Sequence, residues 1–141
     1  MVHRGTEFTS FGKVIEKVPF FEGIELLYFT DVTFGNFLTH VHDHVEIMLI
    51  LDGDVELVVE DKRYPVPKGS LVITPPQLLH HTMVADGTKR YERIVLHIFL
   101  EYLEQIIRCF PSGEHCFDFC RQVQVIHYSP NTFWIFRNLF E

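Results

Sequence analysis

Two histidines and a glutamate near the centre of the sequence have the residue types and the spacing of a metal or polar-ligand site. One residue separates His40 from His42, and Glu46 follows His42 after three. Alternate side chains of a strand share a face, so His40 and His42 project together. In a straight strand Glu46 would lie about 13 Å beyond His42. We therefore predict a turn at 43–45 that brings the carboxylate back beside the two imidazoles.

A second stretch carries a further pair of histidines. Residues 68–81 read KGSLVITPPQLLHH, which is a glycine turn, a strand with β-branched residues, a Pro-Pro stop and the pair His80 and His81. Such a strand and stop are typical of a β-rich domain. The histidine pair then lies where the strand ends.

These two stretches resemble the motifs of the cupin superfamily. In the first motif Glu46 follows the histidines, and Gly53 follows Glu46 after six residues, as in that family. The second motif is matched by Gly69, Pro75 and His80, but Gln77 stands where the family has glycine. Val84 likewise replaces an asparagine. The resemblance implies a jelly-roll β-barrel.

The same resemblance implies a ligand set of His40, His42, Glu46 and His80 for a divalent metal ion. Three imidazoles and a carboxylate suit Zn, Ni, Mn or Fe. The alternative is that these side chains contact a solute or form hydrogen bonds in a polar pocket. We expect the neighbouring His44 and His81 to face solvent, because their companions occupy the ligand positions.

Composition indicates one domain. The chain has 141 residues, of which 47% are hydrophobic and 14% aromatic, enough for one sizeable core. Its net charge of −7 without a basic run argues against direct nucleic-acid binding. No stretch approaches the length of a membrane helix, and the N-terminus lacks a signal sequence, so we expect a soluble, cytoplasmic protein. The odd number of cysteines, three, favours reduced thiols.

Seven short strands are predicted, followed by helices. The strands are 25–30, 36–41, 45–51, 55–60, 64–66, 71–74 and 91–99. Short strands at this spacing indicate a sandwich or jelly roll rather than a parallel sheet.

Helical spacing begins after the last strand. It covers 101–110, and a second, short helix is predicted at 117–122. A third helix is predicted with Ser129 as its N-cap and Pro130 at its first position, and its amphipathic pattern covers 132–141. The fold class is all-β with C-terminal helices. We divide the chain into an N-terminal arm (1–24), a barrel (25–100) and a helical segment (101–141) that we expect to continue in a longer protein.

Within the cupins, the chain resembles the N-terminal sensor domain of AraC-type transcription regulators. Three passages carry the resemblance: HVHDHVEIMLILDG (40–53), YPVPKGSLVITPPQLLHH (64–81) and RYERIVLHIFLEYLEQI (90–106). It implies a small polar effector such as a sugar, a homodimer, and DNA binding only through a helix-turn-helix domain beyond residue 141. It also implies an arm, including Phe8 and Phe11, that closes over the ligand.

The predicted effector site adds two residues of the last strand to the metal set. The six candidates face the barrel interior: His40, His42, Glu46, His80, Tyr91 and His97. Alternation places Tyr91, Arg93 and His97 on one face of their strand. For His97 the alternative to ligand binding is a core histidine whose hydrogen bond is satisfied within the protein. For Arg93 the alternatives are an anionic ligand group or a neighbouring acid such as Glu92 or Glu101.

Two classes of function fit these residues. The first is an effector-binding module that shifts between two states when its ligand binds. The second is a stand-alone metal-dependent enzyme, a dioxygenase or isomerase, that uses the four ligands. We favour the binding module and expect no catalytic residue, because the sequence offers no separate candidate for a general base and departs from the second cupin motif.

Overall fold

In the computed structural model, which describes residues 7–9, 12–21, 23–34, 37–132 and 134, ten strands precede or flank two helical segments. The strands are β1 (Glu7–Thr9), β2 (Gly12–Phe21), β3 (Ile24–Asp31), β4 (His44–Asp52), β5 (Val55–Val59), β6 (Lys62–Val66), β7 (Ser70–Thr74), β8 (His80–Val84), β9 (Tyr91–Phe99) and β10 (Gln124–His127). Helix α1 spans Leu100–Cys109, and a 3-10 helix spans Pro111–Arg121.

The strands form two antiparallel sheets that enclose one core. The larger sheet has the order β1-β2-β3-β9-β4-β7-β10, and the smaller has the order β6-β5-β8. Side chains from the inner faces of both sheets meet in one cluster, with Phe29 and Ile50 from the larger sheet and Leu57 and Val66 from the smaller. This packing of two sheets gives the predicted jelly-roll barrel.

Strand β4 is apolar on both faces because it lies inside the larger sheet, between β9 and β7. Met48 and Ile50 point into the barrel core. Val45 points outward and packs with Leu103 of α1. The helix thus covers the outer face of the sheet, and the near-continuous apolar run of the sequence is explained by two cores on opposite sides of one strand.

Strand β9 continues into α1 without an intervening loop, since β9 ends at Phe99 and α1 begins at Leu100. The junction is held by the Phe99 amide, which donates to the carbonyl of Gly23 at 2.9 Å. Gly23 has φ +96° and lies so close to Tyr102 that no side chain would fit there. The barrel and the helix are therefore tightly connected at this point.

Six of the seven predicted strands are present: five have small shifts at their ends, and β9 has the predicted limits. The predicted strand 36–41 is wrong: within the described residues 37–41 the pairing is an isolated bridge between His40 and His80. A bend at Asp43, instead of a turn over 43–45, precedes β4. Strands β1, β2, β8 and β10 were not predicted, and β1 and β2 lie in the segment assigned to an arm.

The helical segment follows the prediction where it is described. Helix α1 starts one residue before its predicted limit, and the 3-10 helix overlaps the predicted helix 117–122. Ser129 is the expected N-cap, since its Oγ accepts from the amide of Thr132 at 3.3 Å.

Several predictions concern parts of the chain outside the described residues. These are Phe11, the side chains of Phe8 and Cys116, and most of the predicted helix 132–141. Of the other cysteines, Cys109 is an exposed free thiol and Cys120 a buried one. None of the described helices has the length and apolar character needed to span a membrane.

Candidate metal and effector site

A cavity of about 300 Å³ lies inside the barrel, between the two sheets. Its lining changes along its length: histidines and Glu46 at one end, aliphatic side chains such as Val95 in the middle, and Arg93 with aromatic rings at the other. The volume is at the small end of the ~300–1,000 Å³ that ligand pockets occupy. The cavity therefore suits a small molecule.

The four predicted metal ligands converge at the histidine end. One potential ligand atom from each of His40, His42, Glu46 and His80 lies within 4.8 Å of the others. The bridge of His40 to His80, with both amide-to-carbonyl hydrogen bonds at 2.9 Å, joins the segment before β4 to the start of β8. Two sheets thus contribute to one site. The role of these residues as ligands stays a prediction.

Backbone contacts fix the ring orientation of the three histidines. Nδ1 of His40 lies 3.0 Å from the Leu38 carbonyl, and Nδ1 of His80 lies 2.8 Å from the Leu78 carbonyl. Nδ1 of His42 lies 2.9 Å from the carbonyl of His44. Because a carbonyl only accepts, each Nδ1 carries the hydrogen, and a neutral ring then keeps its lone pair on Nε2. This is the arrangement that metal-binding histidines use.

Glu46 is the carboxylate at the centre of this end. Its Oε1 lies 3.7 Å from Nε2 of His80, and its Oε2 lies 3.9 Å from Nε2 of His42. Burial acts to raise the pKa of Glu46, but His80 and His97 outweigh burial and hold that pKa well below its usual range. The group is therefore an ionised carboxylate, as a metal ligand must be.

Burial lowers the pKa of His42 to about 4. The nearby imidazole of His80 differs: burial acts to lower its pKa, but the Glu46 carboxylate outweighs burial and raises it. His42 is thus a neutral ring at pH 7, ready to donate its lone pair.

The prediction that His44 faces solvent is wrong, because its side chain faces the cavity. Its ring stacks on His42 with centroids 3.8 Å apart and lies 4.0 Å from the ring of His97. The reason is strand parity: His44 and Glu46 are two residues apart on β4, so a face that directs Glu46 inward also directs His44 inward. His81, by contrast, lies outside the cavity lining, with Nδ1 3.2 Å from Thr39 Oγ1.

His97 reaches the histidine end from β9. Its Nδ1 lies 3.0 Å from Oε2 of Glu25, and its Nε2 lies 3.3 Å from Oε2 of Glu46. Burial acts to lower the pKa of His97, but Glu46 and then Glu25 outweigh it and raise that pKa. Glu25 is a site residue that the sequence analysis missed, since its contact depends on the register of β3 against β9, where Glu25 is opposite His97.

The opposite end of the cavity is built around Arg93. Its Nη1 donates to Oδ2 of Asp31 at 2.7 Å, and its guanidinium lies 4.1 Å from the ring centre of Tyr91 and 4.6 Å from that of Phe29. Arg93 therefore pairs with an acid, as one of the two alternatives predicted, but the acid at 2.7 Å is Asp31 instead of Glu92 or Glu101. Glu92 follows Tyr91 directly on β9 and therefore projects to the opposite face.

Tyr91 lies in the cavity wall as predicted and is almost completely buried, with 1% of its surface exposed. Its hydroxyl donates to Sδ of Met48 at 3.5 Å. Burial raises the pKa of Tyr91 to about 12, so the phenol stays protonated at neutral pH.

Comparison with known proteins supports this fold and places the chain in a family. A cupin 2 conserved barrel domain protein from Salinispora arenicola aligns with a TM-score of 0.58 at 16% identity, over 74% of this chain and 90% of that one. An RmlC-like cupin from Methanocaldococcus jannaschii aligns with a TM-score of 0.55 at 16% identity, over 75% and 97%. A mutant of the Bacillus subtilis oxalate decarboxylase aligns with a TM-score of 0.58 at 15% identity, over 69% and 28%.

At these identities the solved structures establish a shared cupin fold. A search among curated proteins gave no match. The family model described as "AraC-like ligand binding domain" matches residues 26–139, which is most of the chain and includes the six site residues predicted from the sequence. The chain therefore belongs to the AraC-like ligand binding domain family.

Proposed function

We propose that the chain is the effector-sensing domain of an AraC-type transcriptional regulator, and that it binds a small polar metabolite, such as a sugar, inside the barrel. The observation that carries the proposal is the cavity of about 300 Å³ between the two sheets, with a cluster of histidines and Glu46 at one end. DNA would be bound by a domain outside this chain, so the protein acts in the cytoplasm.

A divalent metal ion at the histidine end is part of the proposal, and the residues present fit it. His40, His42, Glu46 and His80 would hold Zn, Ni, Mn or Fe. Nε2 of His42 and Nε2 of His80 are buried and make no hydrogen bond within the described residues. Bound there, the ion would supply a Lewis acid for effector oxygens. Tyr91 and His97 lie on the same face of β9 and would both contact the effector, Tyr91 with its hydrophobic ring and His97 with its polar one.

The structure of β9 supports a route from the cavity to the outside of the barrel. Tyr91 and His97 are on the strand that continues directly into α1. An effector that displaces β9 would therefore displace α1. A ligand shifts such an equilibrium by its differential affinity for the two states. We propose that α1 and the residues after it form a homodimer and pass this displacement to the DNA-binding domain.

Binding function is favoured over catalysis by the state of the other cavity groups. Glu25 contacts His97 at 3.0 Å, Arg93 contacts Asp31 at 2.7 Å, and the pKa of Tyr91 is about 12. Neither Arg93 nor Tyr91 has the properties of a general base near neutral pH. A metal-dependent cupin enzyme is the alternative, and His97, paired with Glu25, would be its candidate base.

Thermal unfolding with a panel of polar metabolites tests the binding proposal. A ligand that binds the native state raises the unfolding free energy by RT ln(1 + [L]/Kd). We expect at least one metabolite to raise the Tm of the wild type and of His81→Ala, whose side chain lies outside the cavity. The Tm of Tyr91→Ala with His97→Ala should not respond. A panel without any response, or an equal response in all three proteins, would contradict the proposal.

A further inference from the structure

Besides the four predicted metal ligands, a second group of donors lies at the histidine end. It consists of His44, Glu46 and His97, whose potential ligand atoms lie within 4.8 Å of one another. Glu46 belongs to both groups. The cluster as a whole therefore has five imidazoles arranged around one carboxylate.

The two oxygens of Glu46 face different histidines. Oε1 lies 3.7 Å from Nε2 of His80, while Oε2 lies 3.3 Å from Nε2 of His97. A carboxylate with imidazole nitrogens beside each of its oxygens has the geometry to bridge two cations, with one oxygen bound to each cation. Nε2 of His42 lies 3.9 Å from Oε2, the oxygen that also faces His97.

His97 is held as a metal-binding histidine is held. Its Nδ1 lies 3.0 Å from a carboxylate oxygen of Glu25, which directs Nε2 toward Glu46. Carboxylate–histidine pairs of this kind orient the ring and increase its basicity as a ligand. Glu25 has no place in the four-residue set, so its contact with His97 is a separate observation.

His44 supplies the second independent observation. Its Nε2 is buried and makes no hydrogen bond within the described part of the chain. The ring is fixed by its stack on His42, with an interplanar angle of 9°. A buried imidazole nitrogen without a hydrogen bond is costly unless something binds it, and a metal ion beside His97 and Glu46 would.

We propose that the cluster holds two divalent ions, the first bound by His40, His42 and His80, the second by His44 and His97, with Glu46 bridging them. This inference rests on the metal of the proposed function and adds a second ion to it. The competing arrangement is a single ion with a proton shared between His97 and Glu46. Metal-ion pairs of this type lie about 3.5–4 Å apart.

Counting bound ions tests the inference. The untagged chain is freed of metal with a chelator and incubated with excess Co²⁺. After gel filtration, the retained metal is measured by elemental analysis. We expect two ions per wild-type chain, two for the control His81→Asn, and one for His44→Asn combined with His97→Gln. Circular dichroism checks that each variant is folded.

The outcomes separate the inference from the function on which it rests. One retained ion in the wild type would overturn the second site and leave the first intact. Two ions in both the wild type and the His44→Asn, His97→Gln variant would also overturn it, because the second ion would then lie elsewhere. No retained ion in the wild type would overturn the metal of the proposed function as well.

Discussion

The two ends of the cavity bury polar groups in opposite ways. At the arginine end the charges satisfy each other, since Arg93 contacts Asp31 at 2.7 Å and lies over the rings of Tyr91 and Phe29. At the histidine end one carboxylate is surrounded by imidazoles. There, Nε2 of His42 makes no hydrogen bond within the described residues.

This difference indicates what each end does. A buried polar group is stable when it is paired and costly when it is not. The arginine end is already satisfied within the protein, so we assign it to the shape and stability of the cavity. At the histidine end, Nε2 of His42, of His44 and of His80 is buried and makes no hydrogen bond among the residues that the structure describes. We therefore assign this end to the binding of something from outside.

Removal of one charge from the arginine end should have the largest effect on stability. Asp31→Ala leaves Arg93, with 4% of its side chain exposed, without its 2.7 Å carboxylate contact. Breaking a buried ion pair from one side costs about 3–5 kcal/mol. We expect that loss in the free energy of unfolding, measured with urea. Asp31→Leu with Arg93→Met should recover much of it, and an unchanged stability in Asp31→Ala would contradict the assignment.

Added metal should stabilise the protein through the histidine end. At a metal concentration 100 times Kd, a native-state ligand adds about 2.7 kcal/mol to the free energy of unfolding. We expect this gain for the wild type in urea denaturation with metal compared with chelator. His42→Ala with His80→Ala removes two ligands of the first ion and should show a clearly smaller gain. An equal gain in both proteins would place the binding outside the cluster.

Tyr91→Phe is a milder change at the arginine end. It removes the hydroxyl that donates to Met48 at 3.5 Å and leaves the ring over Arg93. The loss of one hydrogen bond costs about 0.5–1.5 kcal/mol. We expect that small decrease in stability by urea denaturation, with the metal content unchanged. A lower metal content would show that the two ends do not act separately.

An exposed ion pair gives the baseline for the buried one. Arg63 contacts Glu56 at 2.7 Å, the same distance as the pair of Arg93 and Asp31, but 64% of the Arg63 side chain is exposed. Pairs of this kind contribute about 0.2–1 kcal/mol. Glu56→Gln should therefore change the free energy of unfolding within that range. A loss as large as that of Asp31→Ala would mean that burial is not the cause of the difference.

Much of the histidine end could be predicted from local spacing. His40 and His42 both line the cavity, as their spacing predicts, although the segment that carries them forms an isolated bridge and not a strand. A bend at Asp43 then brings Glu46 beside them. Strand parity also places His44 inward, and this signal was present in the sequence.

The contacts across strands could not be predicted. His97 meets Glu25, and Arg93 meets Asp31, because β3 pairs with β9 in one register. Nothing in the local sequence of either strand specifies that register, which depends on the packing of the whole sheet. Strand β10 was missed for a similar reason, since its partner β7 lies more than 50 residues earlier in the chain.

The most direct test of the histidine end as a binding site is an anomalous difference map. Crystals of the untagged chain loaded with Zn²⁺ would be measured at the zinc absorption edge. We predict a peak about 2.0–2.2 Å from Nε2 of His42, Nε2 of His80 and the Glu46 carboxylate. Ordered side chains in this cluster with no anomalous peak between them would contradict the account.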